Sequence, residues 1–135
     1  MFSHIYVGVS DFARAHAFYA PVMQELGLRQ RFNDPEHGWA AWQLQSGGRP
    51  LFIIGLPYDG APHAPGNGQM TAFLAPDRAT VDRVHATALA AGGVDEGARR
   101  GGVGKAHQHD ASTRKIPVQD FHLVAARHVF AAVAF

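Results

Sequence analysis

The sequence predicts an α+β fold built from two consecutive β-α-β-β-β modules. A strand pattern runs directly into a helical pattern near the N-terminus, three short strand-like segments follow, and a second strand-helix pair begins after a segment rich in proline and glycine. The chain has 135 residues, close to the commonest domain size. We therefore expect one domain, 1–135, with module one at about 1–56, a linker at about 57–68 and module two at about 69–135.

The first module opens with a strand over residues 3–9, where Ile5, Val7 and Val9 alternate with other side chains. Asp11, with Ser10 before it, supplies the short polar side chain that caps a helix start. A core-facing helix then follows from the spacing of seven apolar residues: Phe12, Ala15, Phe18, Tyr19, Val22, Met23 and Leu26.

Turn-forming residues divide the rest of this module. Gly27 is placed to end the helix, and Pro21 is expected to kink or interrupt it. Strands are predicted at residues 28–32, 39–45 and 50–54, separated by turns at 33–35 and 46–48.

The second module repeats this order. A strand is predicted at residues 69–74, and Pro76-Asp77 opens a helix that ends at Gly92-Gly93. We expect a mobile loop over 92–113 and one or two strands over 118–135, with Arg127-His128 as a possible tight turn. The inward-facing positions of the helix are Val81, Val84, Ala88 and Leu89.

Composition excludes several classes of function. The net charge of +1, with 17% charged residues, provides no basic surface for nucleic acid. The absence of cysteine excludes disulfides, thiolate metal sites and cysteine nucleophiles. Neither a membrane-spanning run nor a signal peptide is recognised, so we expect a soluble cytoplasmic protein. Four serines lie in no nucleophile motif, and the P-G-N-G of residues 65–68 lacks the lysine of a phosphate-binding loop.

The N-terminal motif resembles the vicinal oxygen chelate superfamily, which includes glyoxalase I, extradiol dioxygenases, and the fosfomycin- and bleomycin-resistance proteins. In that family a strand bearing a ligand histidine runs into V-x-D-(L/F)-x-x-(A/S)-x-x-F-Y. The matching residues here are His4, Val9, Asp11, Phe12, Ala15, Phe18 and Tyr19. The resemblance extends more loosely to about Gly97. It implies paired modules that curl into a half-open barrel around a cavity, and it implies a homodimer.

The resemblance also implies a divalent metal in some members, held by one His or Gln and one Glu from each module. His4 matches the first ligand, but Met70 falls where the second is expected, and residues 51–54 contain no glutamate. The tail lacks the family's D-P-x-G-N hairpin, and Ala131 falls near the position of the final glutamate. One retained ligand of four predicts a degenerate site, and a lone strand histidine is more often a hydrogen-bonded residue than a ligand.

A second candidate metal site is His107-x-His109. Two histidines that alternate on a strand point the same way and can share an ion. The polar and glycine-rich surroundings favour a loop with solvated imidazoles instead. If nickel or zinc binds adventitiously, we expect it at His107 and His109.

Aromatic residues on the predicted strands indicate a ligand cavity. The predicted lining consists of His4, Tyr6, Trp39, Trp42, Phe52 and Met70, with Phe73 as a further strand aromatic. Plain core packing is the competing interpretation for any single aromatic. Alternation places Trp39 and Trp42 on opposite faces, so at most one of them faces the cavity.

Two functions remain open from the sequence. One is a protein that binds a small molecule in the aromatic cavity and has a degenerate metal site, similar to the bleomycin-resistance proteins. The other is a metal-dependent lyase or dioxygenase, in which His4 holds an ion that polarises the substrate's paired oxygens. The missing glutamates favour binding without a cofactor.

Overall fold

The fold consists of two β-α-β-β-β modules, as predicted. The computed structural model describes residues 2–64, 66, 70–95, 122–126 and 130–134. In chain order its elements are β1 (His4–Gly8), α1 (Phe12–Glu25), β2 (Leu28–Asp34), β3 (Trp39–Leu44), β4 (Leu51–Gly55), β5 (Met70–Leu74), α2 (Arg78–Ala90), β6 (Val94–Asp95), β7 (His122–Ala126) and β8 (Phe130–Ala134).

Each module forms its own four-stranded sheet, with strand orders β1-β4-β3-β2 and β5-β8-β7-β6. In both sheets the first strand of the module lies at an edge, beside the last strand. In the first sheet β1 pairs with β4 in parallel, and β3 pairs antiparallel with both β4 and β2. The curved and unclosed sheet, together with two helices, confirms the half-open barrel expected from the sequence.

The second sheet has the same strand order but different strand directions. Strand β5 pairs antiparallel with β8, and β6 pairs in parallel with β7. The equivalent pairs of the first sheet, β1–β4 and β2–β3, are parallel and antiparallel, so both directions are exchanged. Reversal of the β7–β8 hairpin relative to the β3–β4 hairpin accounts for both exchanges.

The chain after α2 corrects one boundary of the predicted loop. Val94–Asp95 forms strand β6, because it pairs with the start of β7, although the sequence placed these residues in a loop. One or two strands were predicted in the tail, and two are present, β7 and β8. The predicted turn at Arg127-His128, residues 65 and 67–68 of the P-G-N-G, and the rest of the loop lie outside the described residues.

Matched helix starts confirm the internal repeat. Asp11 and Asp77 each cap a helix by accepting a hydrogen bond from the amide three residues later, at 3.0 and 2.7 Å. His4 and Met70 each begin the first strand of a module and precede these caps by the same number of residues. The two modules therefore place His4 and Met70 at equivalent positions.

The helix ends follow the predicted glycines. Gly27 and Gly92 have φ values of +73° and +95°, a left-handed conformation that glycine adopts readily. The predicted interruption at Pro21 does not occur, because α1 continues through it as one helix to Glu25. In the part of the chain that the structure describes, neither helix is long and apolar enough to cross a membrane.

Strand β2 is longer than predicted. Asn33 and Asp34 pair with Ala40 and Trp39, so the predicted turn at residues 33–35 moves to residues 35–38. Gly38, with a φ of +68°, provides the left-handed residue that this turn needs. The pairing of β2 with β3 therefore overrides the local turn preference of Asn and Asp.

The main core lies between α1, α2 and one face of the first sheet. Strand residues of alternating position and both helices contribute to it, which is the arrangement that period-two and period-3.6 patterns predict. Its buried members are Val7, Val9, Ala15, Phe18, Tyr19, Val22, Met23, Ala40, Trp42, Phe52, Ile54, Val84 and Ala88.

Candidate functional site

The candidate site is the face of the first sheet opposite α1, here called the open face. Because α1 covers one face of this sheet, only the other face can line the interior of a half-open barrel. Strand pairing arranges its residues in three rows that cross β1, β4, β3 and β2. The rows are His4, Leu51, Gln43 and Arg29; then Tyr6, Ile53, Ala41 and Phe32; then Gly8, Gly55, Trp39 and Asp34.

An aromatic surface extends across the open face from Tyr6 on β1, through Trp39 at the start of β3, to Phe32 on β2. Tyr6 and Trp39 are 45% and 40% exposed. The ring of Phe32 lies 4.6 Å from that of Trp39, with 58° between their planes. Beneath them Ile53 and Ala41 are buried, so the surface has an apolar floor. The arrangement suits a planar or apolar molecule.

Hydrogen bonding fixes Tyr6 in this surface. Its hydroxyl donates to the carbonyl oxygen of Leu56 at 2.7 Å. Partial burial raises the pKa of Tyr6 above its ordinary value, because the phenolate loses solvation. Tyr6 therefore presents a neutral ring to the open face and keeps its hydroxyl directed at the backbone.

Glycines in the third row make room for these side chains. A Cβ atom at Gly55 would overlap the hydroxyl of Tyr6 and lie 3.0 Å from Cβ of Trp39. A Cβ atom at Gly8 would lie 2.7 Å from Nδ1 of His63, which belongs to the segment after β4. The tyrosine ring and the following segment can lie against the sheet only because both positions lack side chains.

Asp34 orients Trp39 at the β2–β3 end of the aromatic surface. Its carboxylate accepts hydrogen bonds from the amide of His37 at 3.1 Å and from Nε1 of Trp39 at 3.2 Å, and its Oδ2 lies 2.8 Å from Nδ1 of His37. The pKa of Asp34 is below its ordinary value, chiefly because the His37 amide stabilises the charged form, with the side-chain bonds adding to this. Trp39 is thus oriented by a charged partner.

The first row of the open face is polar and cationic at its β2–β3 end. Gln43 is only 2% exposed, and its Oε1 accepts a hydrogen bond from Nη1 of Arg31 at 3.0 Å. Arg29 lies opposite Gln43 in the β2–β3 register. A Cβ at Gly47 would lie 3.3 Å from Nη2 of Arg29 and 3.9 Å from Nε2 of Gln43, so these side chains converge at the β3–β4 turn.

His4 lies in the same row, at the β1 end. It is exposed, and its Nδ1 is 2.7 Å from Oγ of Ser3. On the open face its neighbour in β4 is Leu51, and the hydroxyl of Tyr6, two residues on, is directed to Leu56. Among the described residues no group of three or more His, Cys, Asp or Glu side chains is arranged to hold an ion. The described surroundings of His4 therefore do not fit the divalent ion of the metal-dependent family members.

The structure separates the predicted lining residues between two faces. His4, Tyr6 and Trp39 lie on the open face. Trp42 and Phe52 are 2% and 6% exposed and pack with Tyr19 of α1, at ring distances of 6.5 and 5.2 Å. Their assignment to a cavity is replaced by a core role, because alternation turns them toward the helix. Trp39 and Trp42 lie on opposite faces, as alternation required.

The remaining predicted residues belong to module two. Met70 begins β5, and nothing is described of its side chain. Phe73 packs edge-on against Phe52 at 4.8 Å and so belongs to the core. His107 and His109 lie outside the described residues, and their adventitious metal site stays a prediction.

Sequence reasoning missed the residues that give the open face its polarity. Arg29, Arg31 and Gln43 fall within the strands predicted at residues 28–32 and 39–45, and the sequence analysis gave them no role. A β-bulge between Gln30 and Phe32 breaks the alternation of β2, so periodicity counted from Arg29 assigns Phe32 to the wrong face. The signal available in the sequence was the pair Arg29 and Arg31, which alternate within the predicted strand at residues 28–32.

Comparison with known proteins identifies the family. A glyoxalase/bleomycin resistance protein from Albidiferax ferrireducens T118, solved by crystallography, is similar to this chain at 30% sequence identity and a TM-score of 0.63. The similarity covers 75% of this chain and 77% of that one. No family model matches the sequence. No curated protein matches it. With its paired modules and half-open sheet, the chain belongs to the glyoxalase/bleomycin resistance family of the vicinal oxygen chelate superfamily.

Proposed function

We propose that this protein binds a small aromatic molecule on its open face, without a resident metal ion. The observation that carries the proposal is the exposed surface formed by Tyr6, Trp39 and Phe32, which lies over an apolar floor. Hydrogen bonds to Leu56 and Asp34 orient two of these rings before any ligand arrives. Preorganised aromatic side chains lose little conformational entropy on binding, so such a surface favours affinity.

The poor fit of His4 to a metal ion supports binding over metal chemistry. Its β4 neighbour on the open face is Leu51, which has no donor atom, and Met70 occupies the equivalent position of module two. The alternative function is a lyase or dioxygenase that uses His4 as a ligand. It is favoured by the position of His4 at the start of β1, where the resemblance places the first ligand.

The functional partner in solution is proposed to be a second copy of this chain. Strands β1 and β2 are the edges of the first sheet, and β5 and β6 are the edges of the second. Unpaired sheet edges favour association, and Phe2 and Ile5 add exposed apolar side chains at the β1 edge. A homodimer would bring two open faces into one assembly.

Thermal unfolding with a panel of aromatic compounds tests the proposed function. We expect naphthalene derivatives to raise the melting temperature, and we expect the rise to survive excess chelator, because binding to the folded state alone stabilises it. Trp39→Ala is expected to remove the rise. Leu89→Ala is expected to retain it, because Leu89 on α2 is exposed, although the sequence predicted that it faces inward. No rise with any compound would contradict the proposal.

Elemental analysis of untagged protein separates the two functions. The binding function predicts no stoichiometric metal after dialysis without chelator. About one ion per chain that is lost in His4→Ala would instead favour the lyase or dioxygenase.

A further inference from the structure

We propose that the ligand of the open face is a planar aromatic carboxylate, whose ring lies on the Tyr6–Trp39–Phe32 surface and whose carboxylate is bound by Arg29 and Arg31. The inference rests on the proposed binding function and specifies the chemical class of the ligand. It follows from the charged side chains at the two ends of the aromatic surface, and from the hydrogen bond by which Gln43 orients Arg31.

The two ends of the open face differ in charge. Arg29 and Arg31 form no ion pair with a carboxylate in the part of the chain that the structure describes. Among the described residues of the open face, the one carboxylate is Asp34, two rows away, and His37 and Trp39 already bind it. An approaching anion is therefore attracted toward the arginines and repelled from the opposite end.

Gln43 orients the cationic end. Its side chain is 2% exposed, and its Oε1 accepts from Nη1 of Arg31 at 3.0 Å. A buried amide bond of this kind restricts the arginine, because breaking it would leave a buried polar atom without a partner. The other guanidinium nitrogens of Arg31 remain for a planar, two-oxygen group, and this geometry matches a carboxylate better than a neutral carbonyl.

The spacing of the rows matches one molecule that spans both regions. Rows on the same face of a sheet are separated by two residues, or about 7 Å along the strand. Arg29 and Gln43 are in the first row, and Phe32 and Ala41 are in the second. A fused aromatic ring with a directly attached carboxylate can therefore contact the aromatic row and the arginines together.

The first row holds His4 and the arginines at opposite ends. His4 occupies the β1 end of the first row, beside the apolar Leu51. An acid group bound by guanidinium donors needs no ion to neutralise it. The open face is therefore adapted to an organic anion at the row where the resemblance places the first metal ligand.

Isothermal titration of the full chain with naphthoate and with its neutral amide, naphthamide, tests the inference. The two probes share a ring and a planar carbonyl and differ in charge. We expect naphthoate to bind about tenfold more tightly than naphthamide at low salt, and we expect added salt to reduce the difference.

Matched variants separate the ring from the charge. Arg29→Gln combined with Arg31→Gln is expected to abolish the preference for naphthoate, so that the two probes bind with similar affinity. Arg78→Gln, which alters an exposed arginine at the start of α2, is the control and should retain the preference. Unfolding of each variant is measured in parallel, and the single Arg29→Gln protein replaces the double variant if the latter is unfolded.

The outcomes distinguish the inference from the function on which it rests. Equal affinity for the two probes, or a preference that survives removal of both arginines, would overturn the carboxylate and keep the binding function. Absence of binding by both probes would overturn the binding function as well.

Discussion

On the helix side of the first sheet, Trp42 and Phe52 meet Tyr19 of α1 and are almost fully buried, whereas on the open face Tyr6 and Trp39 remain 45% and 40% exposed. The strands are the same, and the side chains alternate between the two faces. On the helix side the aromatics contact one another and stabilise the fold. On the open face they are oriented by hydrogen bonds to Leu56 and Asp34, so they are held in place while still accessible.

Residue type alone does not separate a core aromatic from a binding aromatic. Burial by α1 distinguishes them, together with the presence of a polar partner at the edge of the ring. Substitutions on the helix side should therefore mainly lower the free energy of unfolding. Substitutions on the open face should mainly weaken ligand binding.

The largest effect is expected for Trp42→Ala. Removing a fully buried tryptophan leaves a cavity between the sheet and α1, and we expect a loss of about 3–5 kcal/mol in the free energy of unfolding. Trp39→Ala is the matched control, and because Trp39 is partly exposed we expect a loss of about 1 kcal/mol. Urea denaturation measures both values. Equal losses would show that the two faces are not energetically distinct.

A smaller effect is expected for Gly55→Ala. The added methyl group overlaps the hydroxyl of Tyr6, and we expect a loss of about 1–3 kcal/mol as the ring is displaced. The same change in a Tyr6→Ala background should cost less, because the overlapping hydroxyl is gone. A double-mutant cycle by urea denaturation measures this coupling. Additive losses would mean that Gly55 does not make room for Tyr6.

The smallest effect is a local response to pH at Asp34. The pKa of Asp34 is lowered in the folded protein, so the ionised carboxylate stabilises the fold above the ordinary pKa of 3.8. This stabilisation is lost as the pH falls through the lower pKa of the folded protein. Protonation weakens the bond to Nε1 of Trp39, and we expect a change in Trp39 fluorescence below pH 3.8.

A single-tryptophan protein isolates this signal. Trp42→Phe leaves Trp39 as the only tryptophan, since the chain has two. In this background Asp34→Asn should remove the acid transition, because the amide does not titrate over this range. An unchanged transition in that variant would assign it to another group.

Local chemistry in the sequence was enough to determine the first strand, both helices and their caps. Alternation in β1, the acceptor side chains of Asp11 and Asp77, and the left-handed glycine at position 27 depend on neighbours within a few residues. The same locality explains why Trp39 and Trp42 were correctly assigned to opposite faces. It also explains one error, since the preference of Asn33-Asp34 for a turn was overridden by pairing with β3.

Only the tertiary structure decided which face α1 covers, and therefore which aromatics are accessible. Alternation separates two faces but does not say which one meets a helix, so Trp42 and Phe52 were assigned to a cavity that they do not line. The neighbours of His4 depend on the parallel register of β1 with β4, which joins residues far apart in the chain. The bulge that brings Phe32 to the open face and the reversed β7–β8 hairpin are likewise products of strand pairing. Short-range patterns in the sequence determined the elements, whereas long-range pairing determined which side chains meet.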